Sequence, residues 1–229
     1  MRFLAAAALF MVAWPCLWGE GGTGAERGIA LSRRGEWTAA REALLGALRE
    51  DPRDASAVRE LASIARAMGD MTNCIRYWER LVELRPEDAA ARFELANLYF
   101  LFRDAAAKVR GVRVSSVVGL AQAEYRMARR LAPDEYHYAA ALAESYVALE
   151  PPDWDRAEEA WRYCLPLAND RTAVYCKLAR VCIEAGALDR AEDYLRNAGG
   201  IRAAELRAEL AKRREASAAS VGVAPGRDS

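Results

Sequence analysis

The feature of this sequence that most constrains its fold is a period of 34 residues. Three independent markers carry it: a small residue early in an inferred second helix, a leucine followed by an alanine, and a closing proline. The small residues are Ala40, Cys74, Ala121, Ala157 and Ala191, at intervals of 34, 47, 36 and 34. The leucines of the Leu-Ala pairs are Leu61, Leu95, Leu142 and Leu178, and the prolines are Pro52, Pro86 and Pro133. Because tandem units of this length are typical of helix-turn-helix repeats, the sequence predicts an all-α array whose core runs between neighbouring units.

Composition supports helices and argues against several functions. Lys and Arg together number 33, as do Asp and Glu, so the net charge is zero and the basic surface of a nucleic-acid-binding protein is not expected. Good helix formers such as alanine, leucine, arginine and glutamate dominate. The single histidine, His137, leaves little material for a metal cluster or a His-dependent nucleophile, and no phosphate loop or nucleophile elbow occurs. We therefore expect no enzymatic activity, no cofactor and no metal ion.

Residues 1–24 have the order of a secretory signal peptide. Arg2 precedes an apolar run from Phe3 to Trp14, which a proline and a glycine-rich segment of small residues follow. This run is shorter than the stretch of about 20 apolar residues that a bilayer-spanning helix needs. We therefore expect cleavage between Gly19 and Ala25 and export of the chain to the periplasm. Two alternatives stay open: an uncleaved membrane anchor, and lipid attachment at Cys16, against which the two bulky residues before that cysteine count.

The rest of the chain divides into five repeats, a cap and a tail. The repeats span residues 25–54, 55–88, 89–135, 136–171 and 172–198, and the third contains 13 additional residues between its helices. Residues 199–216 form an amphipathic helix that turns Ala203, Leu206 and Leu210 inward, as the capping helix of a repeat array requires. The small and polar residues 217–229 are expected to be disordered.

The pattern resembles that of tetratricopeptide-repeat (TPR) proteins over residues 25–198. The family's large residue in the second helix matches Leu44, Trp78, Tyr125, Trp161 and Leu195, and its turn glycine matches Gly35, Gly69 and Gly186. Its tyrosine in the first helix matches Tyr99 and Tyr146. The chain departs from the pattern at Cys74, in the stretched third repeat, and after the fourth repeat, where the closing proline is missing. The resemblance, to TPR proteins of an exported bacterial type, implies a right-handed TPR superhelix (α-solenoid) of about five repeats with a C-terminal capping helix.

In TPR proteins the first helices line a concave face, so the resemblance implies a groove that binds an extended or helical peptide. Regular spacing along these helices gives the candidate groove residues Arg59, Ser63, Arg66, Phe93, Asn97, Phe100, His137, Glu144 and Arg180. The same spacing also places Cys176 and Ile183 on this face. We expect the arginines of the second repeat to bind acidic groups, the asparagine to bond peptide backbone, and the phenylalanines to make apolar contact. An ordinary solvated helix face is the alternative interpretation.

The additional residues of the third repeat lie in segment 103–116, which is locally basic. Its cations are Arg103, Lys108, Arg110 and Arg113, against a single acidic residue. We expect residues 105–109 to extend the first helix, residues 111–116 to form a loop, and Ser115 or Ser116 to cap the next helix. Two interpretations stay open: a loop that docks on an acidic partner or on lipid headgroups, and a surface insertion without function.

Four cysteines lie beyond the N-terminal segment. Cys74 is two repeats away from the others and cannot form a disulfide with them. Cys164 lies on a helix adjacent to the one that carries Cys176 and Cys182, so a disulfide there is one interpretation for an oxidising compartment. The other interpretation is that all four are small buried residues at helix contacts.

Two functional hypotheses follow. The first is an exported TPR scaffold that binds a protein or peptide partner through its groove, in cell-envelope assembly or secretion. The second is a TPR module that holds a small ligand for a transport system. Under both hypotheses, membrane contact is expected only through the N-terminus or the inserted segment, and nucleic-acid binding is not expected.

Overall fold

The structure, a computed structural model, describes residues 23–222, and all regular structure in that range is helical. The first six helices are α1 (Gly24–Arg33), α2 (Trp37–Glu50), α3 (Ala55–Ala67), α4 (Met71–Leu84), α5 (Ala89–Leu101) and α6 (Arg103–Arg110). The other six are α7 (Val114–Leu131), α8 (Tyr136–Val147), α9 (Trp154–Cys164), α10 (Arg171–Glu184), α11 (Leu188–Arg196) and α12 (Gly200–Gly222). The all-α prediction is thereby confirmed. Nearly all of the predicted export signal, including Cys16, lies outside the described residues.

The helices pair as antiparallel hairpins that stack in chain order. α1 packs on α2, α3 on α4, α5 on α7, α8 on α9, and α10 on α11. Each hairpin contacts the next through the pairs α2 and α3, α4 and α5, α7 and α8, and α9 and α10. The turns within hairpins therefore lie along one side of the stack, here called the first edge. The turns between hairpins lie along the opposite side, the second edge.

The period in the sequence is a packing period. The five repeated small residues, Ala40, Cys74, Ala121, Ala157 and Ala191, are all fully buried. The matched large residues of the second helices and the leucines of the Leu-Ala pairs are buried as well. An alanine lets two helix backbones come close, and a larger neighbour fills the adjoining gap. Repetition of that pair along the chain therefore repeats the same helix contact.

Aspartates start five of the helices that build the stack. Their carboxylates accept hydrogen bonds from backbone N–H groups of the first turn, and they are Asp54, Asp70, Asp88, Asp153 and Asp170. At Asp70 the N–H of Asn73 donates at 3.1 Å, and this bond lowers the pKa of the carboxyl. Such caps satisfy N–H groups that have no partner within the helix.

The insertion in the third repeat is a separate helix and not the predicted extension of α5. The chain turns at Phe102, between the end of α5 and the start of α6. α6 packs against α4 and α7, and this contact buries Ala106 and Ala107. The turn has a physical reason, since it brings the alanine face of α6 into the core and leaves the cations of the segment near the surface.

The predicted loop and cap after α6 are also wrong. Gly111, with φ of 65°, ends α6 in the left-handed conformation that glycine adopts without steric cost. α7 begins only three residues later, at Val114, so half of the predicted loop is helical. Neither Ser115 nor Ser116 is the cap, because the N–H of Ser116 donates to the carbonyl of Arg113 at 2.9 Å. The early start lengthens the contact between α7 and α6.

The C-terminal helix is longer than predicted. α12 continues to Gly222, so residues 217–222 are helical and not part of a disordered tail. These residues are mainly serine and alanine, and alanine is the strongest helix former, with no proline to end the helix before Gly222. The predicted inward residues Ala203, Leu206 and Leu210 are buried, and α12 packs on α10 and α11.

The four cysteines of the described chain are free and buried, so the structure contradicts the disulfide interpretation. Burial raises the pKa of the Cys164 and Cys182 thiols to about 12. It also raises the pKa of Cys74 and Cys176. These side chains therefore act as small apolar residues at helix contacts. Among residues 23–222, no helix is both long enough and apolar enough to cross a bilayer.

Candidate functional site

The exposed side of the first helices α3, α5, α8 and α10 is here called the groove face. All nine predicted groove residues reach the protein surface at least in part. Five are exposed and lie on α3 and α8 (Arg59, Ser63, Arg66, His137 and Glu144), a sixth exposed residue lies on α10 (Arg180), and three are half-buried on α5 (Phe93, Asn97 and Phe100). The partners of these residues decide what each of them can bind.

In the fifth repeat the register of the groove face differs from the prediction. Cys176 and Ile183 are buried, whereas Lys177 and Glu184, one position further along, are exposed with Arg180. The reason is that α10 packs against α9, α11 and α12, which leaves only a narrow stripe in solvent.

The groove arginines of the second repeat already have carboxylate partners. Arg59 donates to Asp88 at 2.7 Å, and Arg66 donates to Glu94 at 2.9 Å. Since Asp88 also caps α5, the first pair ties α3 to the start of the next first helix. Ser63 donates to the carbonyl of Arg59 at 3.2 Å. Any acidic ligand at this repeat would compete with these intramolecular bonds.

Phe93 lies at the centre of an aromatic cluster between the third and fourth repeats. Its ring centroid is 5.8 Å from that of Tyr125, 5.1 Å from that of His137 and 4.7 Å from that of Tyr138. The hydroxyl of Tyr125 donates to the side-chain oxygen of Asn97 at 2.8 Å. Such ring contacts stabilise packing. These residues therefore hold α5, α7 and α8 together, and only their exposed parts are available to a ligand.

A hollow of about 400 Å³ lies between the fourth and fifth repeats, and we call it the tryptophan hollow. Its apolar lining includes the half-buried Trp154 and, at 3% exposure, Trp161 of α9. Its other lining residues are Glu144, Val147, Lys177, Arg180, Val181 and Glu184. The hollow thus combines an apolar area with charged groups of both signs, the usual composition of a binding site on a protein surface.

Arg180 is the groove arginine that remains free in this hollow. Lys177 donates to Glu144 at 2.9 Å, and its ammonium lies 5.4 Å from the ring centroid of Trp161. Glu184 accepts from Arg213 of α12 at 3.2 Å. Arg180 has no ion-pair or hydrogen-bond partner within residues 23–222. It can therefore bind a ligand carboxylate without first giving up an intramolecular one.

A second hollow, of about 470 Å³, adjoins the first along α10. The two share Lys177 and Arg180, and the second extends to Gly200 and Ile201 at the start of α12. Arg180 therefore lines both hollows, which follow one another along α10.

The cations of the inserted segment have different environments. The guanidinium of Arg103 lies 5.2 Å from the ring centroid of Phe100, and Arg110 lies 3.7 Å from the carboxylate of Glu79 on α4. Lys108 and Arg113 are exposed and have no ion-pair partner in the described part of the chain. The segment therefore uses two cations to hold itself on the stack and presents two to solvent.

A buried carboxylate that the sequence analysis did not mark joins the second helices of the last two repeats. The side chain of Glu158 is only 5% exposed, and it accepts from Arg190 at 2.6 Å and from the hydroxyl of Tyr194 at 2.8 Å. Arg162 lies 3.4 Å from the same carboxylate. These partners satisfy Glu158 within the chain, so the cluster holds α9 against α11. No group of three His, Cys, Asp or Glu side chains in residues 23–222 could hold a metal ion.

Sequence reasoning predicted Glu144 and Arg180 of the tryptophan hollow but did not select the rest of its lining. Trp161, the expected large packing residue of its repeat, is buried and also lines the hollow, whereas Trp154, Lys177 and Glu184 were not selected. The two tryptophans are seven residues apart, which places them on one side of α9 two turns apart. That spacing is the sequence signal that could have indicated the hollow.

Comparison with solved structures identifies the fold. A crystal structure of MamA matches with a TM-score of 0.59 at 18% sequence identity, and the match covers 82% of this chain and 92% of that chain. A second match is YrrB, described as a TPR protein with an unusual peptide-binding site. Its TM-score is 0.59 at 12% identity, and 85% of this chain and 90% of that chain are covered. No family model matches this sequence, and no curated protein matches it.

These observations define the class of protein as an α-solenoid built from stacked helical hairpins. Within that class the chain has the fold of a TPR protein, as the MamA and YrrB structures show. The predicted TPR superhelix is confirmed, and at these identities the likeness establishes the fold alone.

Proposed function

We propose that this protein is a non-catalytic TPR scaffold that binds a segment of a partner protein along the groove formed by the two hollows. The tryptophan hollow carries the proposal, because its apolar surface lies beside Arg180, which has no acidic partner in residues 23–222. An apolar ligand side chain over the tryptophans would lose its contact with water, and a ligand carboxylate at Arg180 would gain a charge-assisted hydrogen bond. The description of YrrB, which shares this fold, as having a peptide-binding site supports such a use.

The test is peptide selection on the full-length protein, followed by affinity measurement with matched variants. Arg180→Glu should weaken binding of the selected peptides by about tenfold or more, since it places a like charge opposite the ligand carboxylate. Arg126→Glu, at an exposed position on the second helix α7, is the matched control and should leave affinity unchanged. Equal losses in both variants would contradict the proposed site. Native mass spectrometry that finds a co-purified small molecule instead of a peptide would favour the transport hypothesis.

We propose further that the scaffold acts after export, in envelope assembly or secretion. The support is the order of residues 1–24, in which Arg2, an apolar run and a small-residue segment follow one another. Fractionation of native cells with N-terminal sequencing tests it, and the expected mature protein begins between Gly19 and Ala25. An intact N-terminus in the cytoplasmic fraction would overturn export. A membrane-bound form with an intact N-terminus, or one that begins at lipidated Cys16, would establish an anchor.

A further inference from the structure

Exposed apolar side chains are distributed unequally between the two edges of the stack. On the first edge of repeats one to three, large apolar side chains are at least 38% exposed at six positions: Trp37, Met68, Leu101, Phe102, Val112 and Val114. The second edge of the same repeats, at residues 51–54, 85–88 and 132–135, exposes no large apolar side chain. Exposed apolar residues gathered on one surface indicate an interaction site.

Charge follows the same division. The first-edge segments 33–37, 67–71 and 101–114 contain six basic and three acidic residues. The second-edge turns at 51–54, 85–88 and 132–135 contain two basic and six acidic residues. The chain has no net charge, so this polarity comes from the arrangement of residues in the fold and not from composition.

Two cations of the first edge are free to bind an external anion. Lys108 and Arg113 of the inserted segment are exposed without an ion-pair partner in residues 23–222. Val112 and Val114 lie next to Arg113 in the chain, so cationic and apolar groups alternate in the turn after α6. Such a combination suits the boundary of a bilayer, where phosphates lie above acyl chains.

We propose that the first edge of repeats one to three docks on the surface of a bilayer that contains anionic lipid. The apolar side chains would enter the headgroup region, with Trp37 at the depth that tryptophan favours, while Lys108 and Arg113 pair with lipid phosphates. The apolar residues occupy the within-hairpin turns of three successive repeats along one edge of the stack. The acidic second edge would be repelled by the same surface, which sets the orientation. The groove face is not used and remains open to a partner.

The test places an environment-sensitive fluorophore on either edge of the full chain. Phe102→Cys labels the first edge, and Glu87→Cys labels the second edge at an exposed position. Both proteins also carry Cys16→Ser, and the four remaining cysteines are buried. Because both keep residues 1–22, any binding through the N-terminal segment affects them equally, and the difference between the two labels reports the edge.

Vesicles of phosphatidylcholine with roughly 30% phosphatidylglycerol should shift the emission of the label at position 102 to the blue. The label at position 87 should not respond. Adding Lys108→Glu and Arg113→Glu should reduce vesicle affinity by about tenfold or more, whereas Arg53→Glu with Arg85→Glu on the second edge should not reduce it. Circular dichroism of each variant confirms that it is folded.

Three results would overturn the proposal. No response at position 102 would show that the edge stays in water, and equal responses at positions 87 and 102 would show that the N-terminal segment alone binds the vesicle. A blue shift that depends on protein concentration without vesicles would show that a second copy of the chain covers this edge.

Discussion

What a charged side chain on the groove face can bind depends on whether a group of the same chain already pairs with it. By position, Arg59 and Arg66 are candidate ligand-binding arginines. Each already pairs with a carboxylate of α5 or its N-cap, at 2.7 and 2.9 Å. Arg180 lies on the same face at the repeat position of Ser63 and has no such partner in residues 23–222. The first two arginines are therefore engaged within the chain, and only the third is available for the ligand carboxylate of the proposed function.

Glu158 offers a test of this distinction, because its neighbour Glu159 is exposed and forms no ion pair in the described chain. Glu158→Ala should lower the free energy of unfolding by about 2–3 kcal/mol, since it removes the buried carboxylate that accepts from the half-buried Tyr194 and pairs with Arg190 and Arg162. Glu159→Ala should change it by no more than about 0.5 kcal/mol. Urea denaturation of the two variants measures both. Similar losses in the two would mean that the cluster contributes no specific stability.

At the scale of elements, the close contact of α1 with α2 has a clear requirement. A Cβ atom on Gly28 would come within 2.5 Å of Cγ of Leu44, which is fully buried. Gly46 on α2, by contrast, has nothing within 4 Å of where its Cβ would lie. Glycine is thus required at position 28 for the close approach of the two helices, whereas another residue can replace it at position 46.

Gly28→Ala and Gly46→Ala should accordingly act in opposite directions. The first should destabilise the N-terminal hairpin by about 1–3 kcal/mol, because α1 must move away from Leu44. The second should stabilise it by up to about 1 kcal/mol, because alanine loses less backbone freedom in a helix. Amide hydrogen exchange in α1 and α2 reports the local effect, and urea denaturation reports the global one. A shift of the same sign in both variants would contradict the contact.

At the scale of the whole molecule, each hairpin is stabilised by its neighbours, so the end of the array needs a closing element. α12 supplies it by burying Ala203, Leu206 and Leu210 against α10 and α11. Without that contact, Cys176, Ile183 and Leu195 would lose one side of their packing. Terminal repeats of solenoids generally require such a cap with a polar outer face.

Leu206→Ala should therefore destabilise the C-terminal end of the stack by about 2–4 kcal/mol, since it opens a cavity at a residue that is 2% exposed. Ile201→Ala, on the same helix at 82% exposure, is the control and should have little effect. Denaturation monitored by circular dichroism gives the free energy of unfolding of both variants, and hydrogen exchange localises the change. If both substitutions were neutral, α12 would not be the cap of the array.

The inserted segment and the groove show why part of the structure could not be predicted locally. The composition of residues 103–110 favours a helix, but the turn at Phe102 depends on burial of Ala106 and Ala107 against α4 and α7. The groove positions could be found by spacing, but the acceptors of Arg59 and Arg66 lie 29 and 28 residues further along. The register of α10 shifted because three neighbouring helices cover it, which a helical period alone does not show.

The sequence by itself determined the number, order and approximate limits of the hairpins, because the size of a side chain at each repeat position decides which helices can pack closely. The turn glycines act within a few residues of the chain, so they too could be recognised from the sequence. Only the tertiary structure decided that Arg180 is free, that two tryptophans line a hollow, and that the apolar and basic turns share one edge. Those properties arise from contacts between repeats. There, residues far apart in the chain decide which charges are paired and which side chains remain exposed.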